Sequence, residues 1–346
     1  MRFGILTIPT QNLEKLAQNA RLAEDKNFDF FWVSEEGSHL TFFRDLFVSL
    51  SVIAVNTHRI IIGPGTTNPY LRHPAVTANA IATLDEFSNG RAAIMMGAGQ
   101  MGTYGLKQFG IEREIKPITA VKEAIEIYRG ILSGKPFNYE GNRFIIKNAT
   151  LTYKPRPDIP IILAARGPKM MELAGKIADG VCIDFAPAEY VPIAKKHLEK
   201  GLAQRERKVS NYIFSINPMV SISKNREEAR EAVKKMIFMP ISVCVRFKPI
   251  LDSLGLTKED LAPAIEEGIK PSVNYTKILK REVVDTLIDR CTLCGTVDDV
   301  IDRVRQYEKA GANQIDLLPA DIDFMKTDLA KYIKIIGEEP IPHFKS

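Results

Sequence analysis

Short apolar runs alternate with amphipathic stretches almost from one end of the chain to the other. The runs Phe3–Leu6, Phe30–Ser34, Ile60–Gly63, Ala92–Gly97, Ile161–Ala164, Val181–Phe185, Ile216–Ile222 and Gln314–Leu318 are rich in β-branched and aromatic residues. Such continuous apolar runs read as strands buried on both faces of a parallel sheet. Between them, Asn12–Lys26, Leu46–Val55, Ala75–Glu86, Ile118–Leu132, Met170–Ile177, Tyr190–Arg205, Glu227–Met236 and Val297–Ala310 place apolar residues at helical spacing. Eight strand-helix units predict a (β/α)8 TIM barrel. A doubly wound sheet would also alternate, but the first strand exits into Thr7, Ile8, Pro9 and Thr10 without a glycine-rich dinucleotide loop.

Two regions exceed the minimal unit. Insertions are expected after strand four, near residues 99–159, and before the last strand, near residues 240–296. Long excursions in a compact domain usually serve as lids or binding elements. The expectation is a single barrel domain over residues 1–346 with these two insertions.

At 45% hydrophobic and 26% charged, the composition is that of an ordinary globular chain, and the net charge of +5 gives a mild field that favours an anionic ligand. Lys and Asp/Glu interleave along the helices, and neither a basic stripe nor aromatic interleaving is present, so nucleic-acid binding is not expected. No apolar run approaches the ~18 residues of a membrane span, and the start lacks a signal-peptide layout. The four cysteines form no dense disulfide pattern, which agrees with a cytoplasmic place.

The functional end of such a barrel is where its strands terminate. Strand three ends in Gly63, Pro64, Gly65, Thr66, Thr67 and Asn68, where glycines let backbone approach a ligand and the polar groups offer hydrogen bonds; the same stretch also reads as a tight turn with a capping asparagine. Strand four ends in Gly97, Ala98 and Gly99, a surface against which a planar ring could lie, or a strand exit that packs closely. Strand five ends in Ala165, Arg166 and Gly167, followed by Pro168 at a helix start; free amides there with Arg166 and Lys169 suit a phosphate. Strand two ends in Glu35 and Glu36, adjacent carboxylates whose mutual repulsion would raise one pKa toward that of a proton donor, unless they are a solvated pair. His73, behind strand three, has both a functional and a capping reading. Cys291 and Cys294 lack partners for a zinc set, so packing ahead of a helix capped by Thr296 and Asp299 is expected, and no metal site. With no nucleophile-base triad in view, a cofactor is expected to carry the chemistry.

Taken in order, Gly65–Tyr70 with Arg72, His73 and Pro74, then Ser88–Arg91, Gly97–Gly99, Ala165–Pro168 with Met170 and Met171, and Gly295–Thr296 resemble the bacterial luciferase-like superfamily of flavin and deazaflavin enzymes. Within it the resemblance runs closest to the coenzyme F420-dependent methylenetetrahydromethanopterin reductases. It implies hydride transfer between F420 and a small organic substrate, with an FMN-dependent monooxygenase as the alternative. It further implies a cis peptide at Gly65–Thr66, ring contacts from Gly65, Thr66, Thr67, Asn68, Gly97, Ala98 and Gly99, and a phosphate at Ala165, Arg166 and Gly167. Glu36, with Glu35 and His73 behind it, would handle protons, and the protein is expected to pair with itself. One departure stands out: these reductases carry an acidic residue at the end of the first strand, where this chain has Leu6.

Overall fold

In the computed structural model, which describes residues 1–35, 43–99, 110–111, 116–321 and 327–345, eight parallel strands close into a barrel. Going round, these are β1 (Arg2–Thr7), β2 (Phe30–Val33), β3 (Ile61–Thr67), β4 (Ile94–Met96), β7 (Ile161–Ala164), β8 (Gly180–Asp184), β9 (Ile213–Asn217) and β12 (Gln314–Pro319). The ring closes where Arg2 and Phe3 of β1 pair with Gln314 and Ile315 of β12. The expected TIM barrel is therefore present. No helix among the described residues is long and apolar enough to cross a membrane.

Helices return the chain along the outside: α1 (Leu13–Asp25), α2 (Leu46–Asn56), α3 (Pro74–Phe87), α4 (Pro117–Leu132), α5 (Pro168–Ile177), α6 (Val191–Ala203), α7 (Arg226–Lys234), then α8 to α12 and α13 (Leu329–Glu338). Their starts follow local chemistry. Asn12 accepts from Lys15 N at 2.8 Å, and Asp45 accepts from Phe47 N and Val48 N. Thr296 and Asp299 form the expected capping box of α12 (Val297–Ala310), which ends at Gly311 with φ 106°.

Three features depart from the sequence reading. First, strand three does not stop at Gly63 but continues to Thr67. Second, residues 137–149 contain an antiparallel hairpin, β5 (Phe137–Glu140) and β6 (Ile145–Ala149), whose apolar residues are interrupted by polar ones and form no unbroken run in the sequence. Third, strand seven is broken at Pro218, which has no N–H to extend the ladder. Its lower half, β9, pairs with β8 up to Asp184 opposite Asn217. Its upper half, β10 (Met219–Ile222), pairs instead with β11 (Thr292–Gly295), the last piece of the 240–296 excursion. The break thus opens a gap at the top of the barrel that the insertion fills. Within it, α11 (Arg281–Cys291) packs against β11, and α8 (Phe238–Arg246) packs against α11 and α9 (Lys248–Ser253), with α10 (Ala262–Glu266) following in the chain.

The barrel interior holds one buried acid. Asp316 on β12 is fully buried and accepts hydrogen bonds from Trp32 Nε1 at 2.8 Å, Gln314 Nε2 at 2.9 and 3.0 Å, and the Ser215 hydroxyl. Its carboxylate occupies the space that a side chain at Gly4 would need. Trp32 stacks on Phe30, with ring centres 5.1 Å apart. Burial pushes the Asp316 carboxyl up to about 6, against the pull of its three donors and of Arg2.

Close packing of this kind makes a direct prediction at Gly63, where a Cβ would run into the Ala93 carbonyl oxygen and crowd Trp32. Gly63→Ala should lower stability by about 1–3 kcal/mol in urea unfolding. An unchanged midpoint would mean the two strands are less tightly apposed than described.

Candidate active site

The end of β3 answers why a core strand contains so many glycines. The ladder to β4 slips between Gly65 and Thr67, and the Gly65–Thr66 peptide is cis, as the family resemblance implied. A Cβ at Gly65 would lie 2.6 Å from Trp32 Cβ and 3.5 Å from Leu6 Cδ1. Only glycine lets the bulge rest on that floor. Thr66 then faces a cleft of about 620 Å³ at the C-terminal mouth of the barrel.

The cleft gathers residues from distant segments. Thr66, Gly97, Ala98 and Gly99 line one part of it; an added Cβ at Gly97 would stand in ordinary contact, 3.4 Å from Ala164 Cβ and 3.8 Å from Thr66 Oγ1. Ala165, Arg166, Gly167, Lys169 and Met170, at the end of the neighbouring strand β7, also line it, together with Pro117 and Ile118 of α4 and Arg246 to Pro249 of the insertion. Of the ten residues expected to hold a cofactor, seven line this cleft.

Two electrostatic features favour an anion. Helix α5 begins at Gly167 without any side-chain cap, and its first residue is Pro168, so the amides of Lys169 and Met170 terminate the helix towards the cleft wall they belong to. Among the described residues, four cationic side chains, Arg166, Lys169, Arg246 and Lys248, share the lining with one carboxylate, Asp184. Asp184 pairs with the Arg166 guanidinium, while Tyr190 OH donates to the Arg166 carbonyl. The guanidinium also sits 6.0 Å from the centre of the Phe247 ring.

The remaining expected residues lie behind the bulge. Thr67 is fully buried and donates to Glu35 Oε2 at 2.6 Å; Arg72 Nε donates to Glu35 Oε1 at 2.8 Å and the same guanidinium pairs with Asp45. Glu35 is thus engaged at both oxygens. Its carboxyl is raised above the ordinary value by burial, which outweighs the opposing hydrogen bonds from Thr67 and Arg72. Asn68 accepts from Tyr70 N and Leu71 N at 3.0 and 3.1 Å and shapes the turn out of the strand. His73 caps α3, accepting from Ala75 N at 3.2 Å, and packs edge-on against Phe144. Glu36 lies outside the described residues.

The sequence reading overlooked Asp184, Phe247 and the insertion's cations. Asp184 carried a signal, a carboxylate at the last position of a barrel strand. Phe247 and its neighbours carried none beyond the length of the excursion. Cys291 is buried beside Cys244 rather than paired with Cys294, and no cluster able to hold a metal exists among the described residues.

The luciferase-like monooxygenase family profile matches residues 1–314. A 5,10-methylenetetrahydromethanopterin reductase of Archaeoglobus fulgidus is 35% identical, with all of both chains covered. The enzyme of the same name from Methanolobus tindarius is 33% identical over 99% of this chain and all of its own. Among solved structures, the coenzyme F420-dependent tetrahydromethanopterin reductase of Methanopyrus kandleri superposes with a TM-score of 0.82 at 30% identity, covering 99% of each chain.

The ion pair behind the bulge yields a titration prediction. In Arg72→Ala, burial acts on Glu35 with less opposition, so the Glu35 carboxyl should titrate at still higher pH, followed by side-chain carboxyl NMR. Because the fold favours the neutral acid, the stability that Glu35 contributes is present at low pH and is lost as pH rises through its folded pKa. A titration that moves down would contradict this assignment.

Proposed function

The chain belongs to the luciferase-like monooxygenase family, and from that premise we propose that it is a coenzyme F420-dependent oxidoreductase acting on a small organic substrate. The first substrate to try is methylenetetrahydromethanopterin, the one named in its full-length relatives. The observation that carries the reading is the cleft itself. A wall with nothing larger than a methyl at Gly97–Gly99, an uncapped helix start and a surplus of cations stand around one space. These suit, in turn, a flat ring, a phosphate and a polyanionic tail.

When bound, F420 would supply the hydride-carrying carbon of its deazaflavin ring. The chain's own residues would do the rest. Thr66 and Gly97–Gly99 would hold the ring in place, with Gly65 giving the bulge its approach. The α5 amides and Lys169 would take the phosphate, and Asp184 would keep the Arg166 guanidinium fixed beside it. Thr67 and Asn68 act from behind, through Glu35 and through the turn, as does His73 through α3. Glu36, next along the chain from Glu35, is our candidate for proton delivery. Leu6 is buried against the bulge and has no proton to give, so the reductases' acid at that position has no counterpart here.

We further propose a cytoplasmic place and self-association through α2 and α3. Helix α2 has no charged residue, and Val48 and Val55 on it, with Val76 and Phe87 on α3, are exposed. An apolar, uncharged face of this kind suits a second copy of itself. The double change Val48→Glu and Val76→Glu should shift sedimentation to the monomer with little loss of fold; an unaltered profile would place any interface elsewhere.

The catalytic reading is tested anaerobically by following oxidation of reduced F420 with methylenetetrahydromethanopterin. Turnover that Glu36→Gln lowers at least 100-fold, with F420 affinity retained, is the expected result. Oxygen-dependent turnover with reduced FMN and none with F420 would replace it with the monooxygenase reading.

A further inference from the structure

We propose that Asp316, in the closed centre of the barrel, is a positioning residue for the cleft, acting through the indole of Trp32 on the Gly65–Thr66 bulge. The chain of contacts is continuous. Asp316 Oδ1 receives the Trp32 N–H at 2.8 Å. Trp32 lies directly under Gly65 and also crowds Gly63, two residues earlier on the same strand. Thr66, joined to Gly65 by the cis peptide, lines the cleft. Phe30 stacks on the indole and Gly63 passes against its ring edge, so a change in the indole's position is felt by the backbone of strand three just before the bulge.

Three buried donors converge on Asp316, so a leucine there would leave them unpaired, whereas an asparagine would fill the same space without burying a titratable group. Around it stand Trp32 from β2, Gly4 and Arg2 from β1, Ser215 from β9, Gln314 from its own strand and Cys182 from β8. Arg2 favours the ionised acid; the Cys182 thiol, pushed up by burial, stays neutral throughout the range concerned. On the far side of the bulge lies the Glu35 carboxyl, with Arg72 and Asp45 behind it.

The ionised carboxylate accepts from all three donors and grips the indole more firmly than the acid does. Its pKa in the fold, about 6, is above the ordinary carboxylate value, so the sign for global stability is the opposite. Asp316 contributes stability at low pH and loses it as pH rises through about 6. Near neutral pH the fold gives up some stability and gains a fixed floor under the cleft.

Trp32 is the chain's single tryptophan, so its fluorescence reports this floor alone. The intrinsic emission of the wild type, without cofactor, should change in one step centred near pH 6, and Asp316→Asn should abolish the step while circular dichroism shows it folded. Persistence of the step in that variant would assign it to Glu35 and overturn the inference. A second arm rests on the F420 reading. Trp32→Phe keeps a ring under Gly65 but removes the N–H, and should weaken F420 binding roughly tenfold, because a floor no longer held in place must be ordered when the cofactor binds. In Asp316→Asn the affinity should no longer vary between pH 5 and pH 7, as it should in the wild type. Unchanged affinity in Trp32→Phe would also overturn the inference. Failure of the wild type to bind F420 would instead remove the functional reading, with the link between Asp316 and Trp32 decided by the fluorescence step.

Discussion

Strand three passes so close over Trp32 that the backbone at Gly65 has no space for a side chain. Most of the functional end of the barrel depends on that contact. It allows the bulge, the bulge turns Thr66 towards the cleft, and the slipped ladder lets Gly97 meet the Thr67 carbonyl at 2.9 Å. Two buried acids hold the arrangement from opposite sides. Asp316 fixes the indole beneath, and Glu35 fixes Thr67 behind, in an ion pair with Arg72. Both carboxyls are raised by burial, so both hold their partners at a cost to the fold.

A second constraint is Pro218. By ending the β8 ladder one residue after Asn217, it makes the upper part of strand seven available to β11. That strand closes the 240–296 excursion and anchors it to the barrel. Its helices then bring Arg246, Phe247 and Lys248 to the cleft. One proline thus connects barrel topology to the electrostatics of the site, since two of the four cations in the lining come from the excursion.

The barrel was legible in the sequence because strands buried on both faces leave unbroken apolar runs, and six of the eight lie where those runs predict; the run Ile216–Ile222 meets barrel strand β9 only at its end. Strand three was cut short because Gly63, Pro64 and Gly65 read locally as a turn. What keeps them in the strand is the close approach of Ala93 and Trp32, which no local pattern shows. The β5–β6 hairpin escaped notice because Asn138, Glu140, Lys147 and Asn148 interrupt its apolar residues, leaving no unbroken run. In the site, the glycines were legible because small residues at strand ends have few other uses. The partners of the charges were not. That Glu35 faces Arg72 and Thr67, and that Arg166 faces Asp184, follows from pairing across 32 residues or more in the first case and 18 in the second.

The central claim is that this cleft is a deazaflavin site built on the Gly65–Thr66 bulge. The most direct measurement is a crystal structure of the protein with oxidised F420. The ring is predicted to lie against Thr66 and Gly97–Gly99, with the phosphate at the start of α5. A cofactor bound with its ring away from the bulge, or a cleft left empty at saturating F420, would contradict the account.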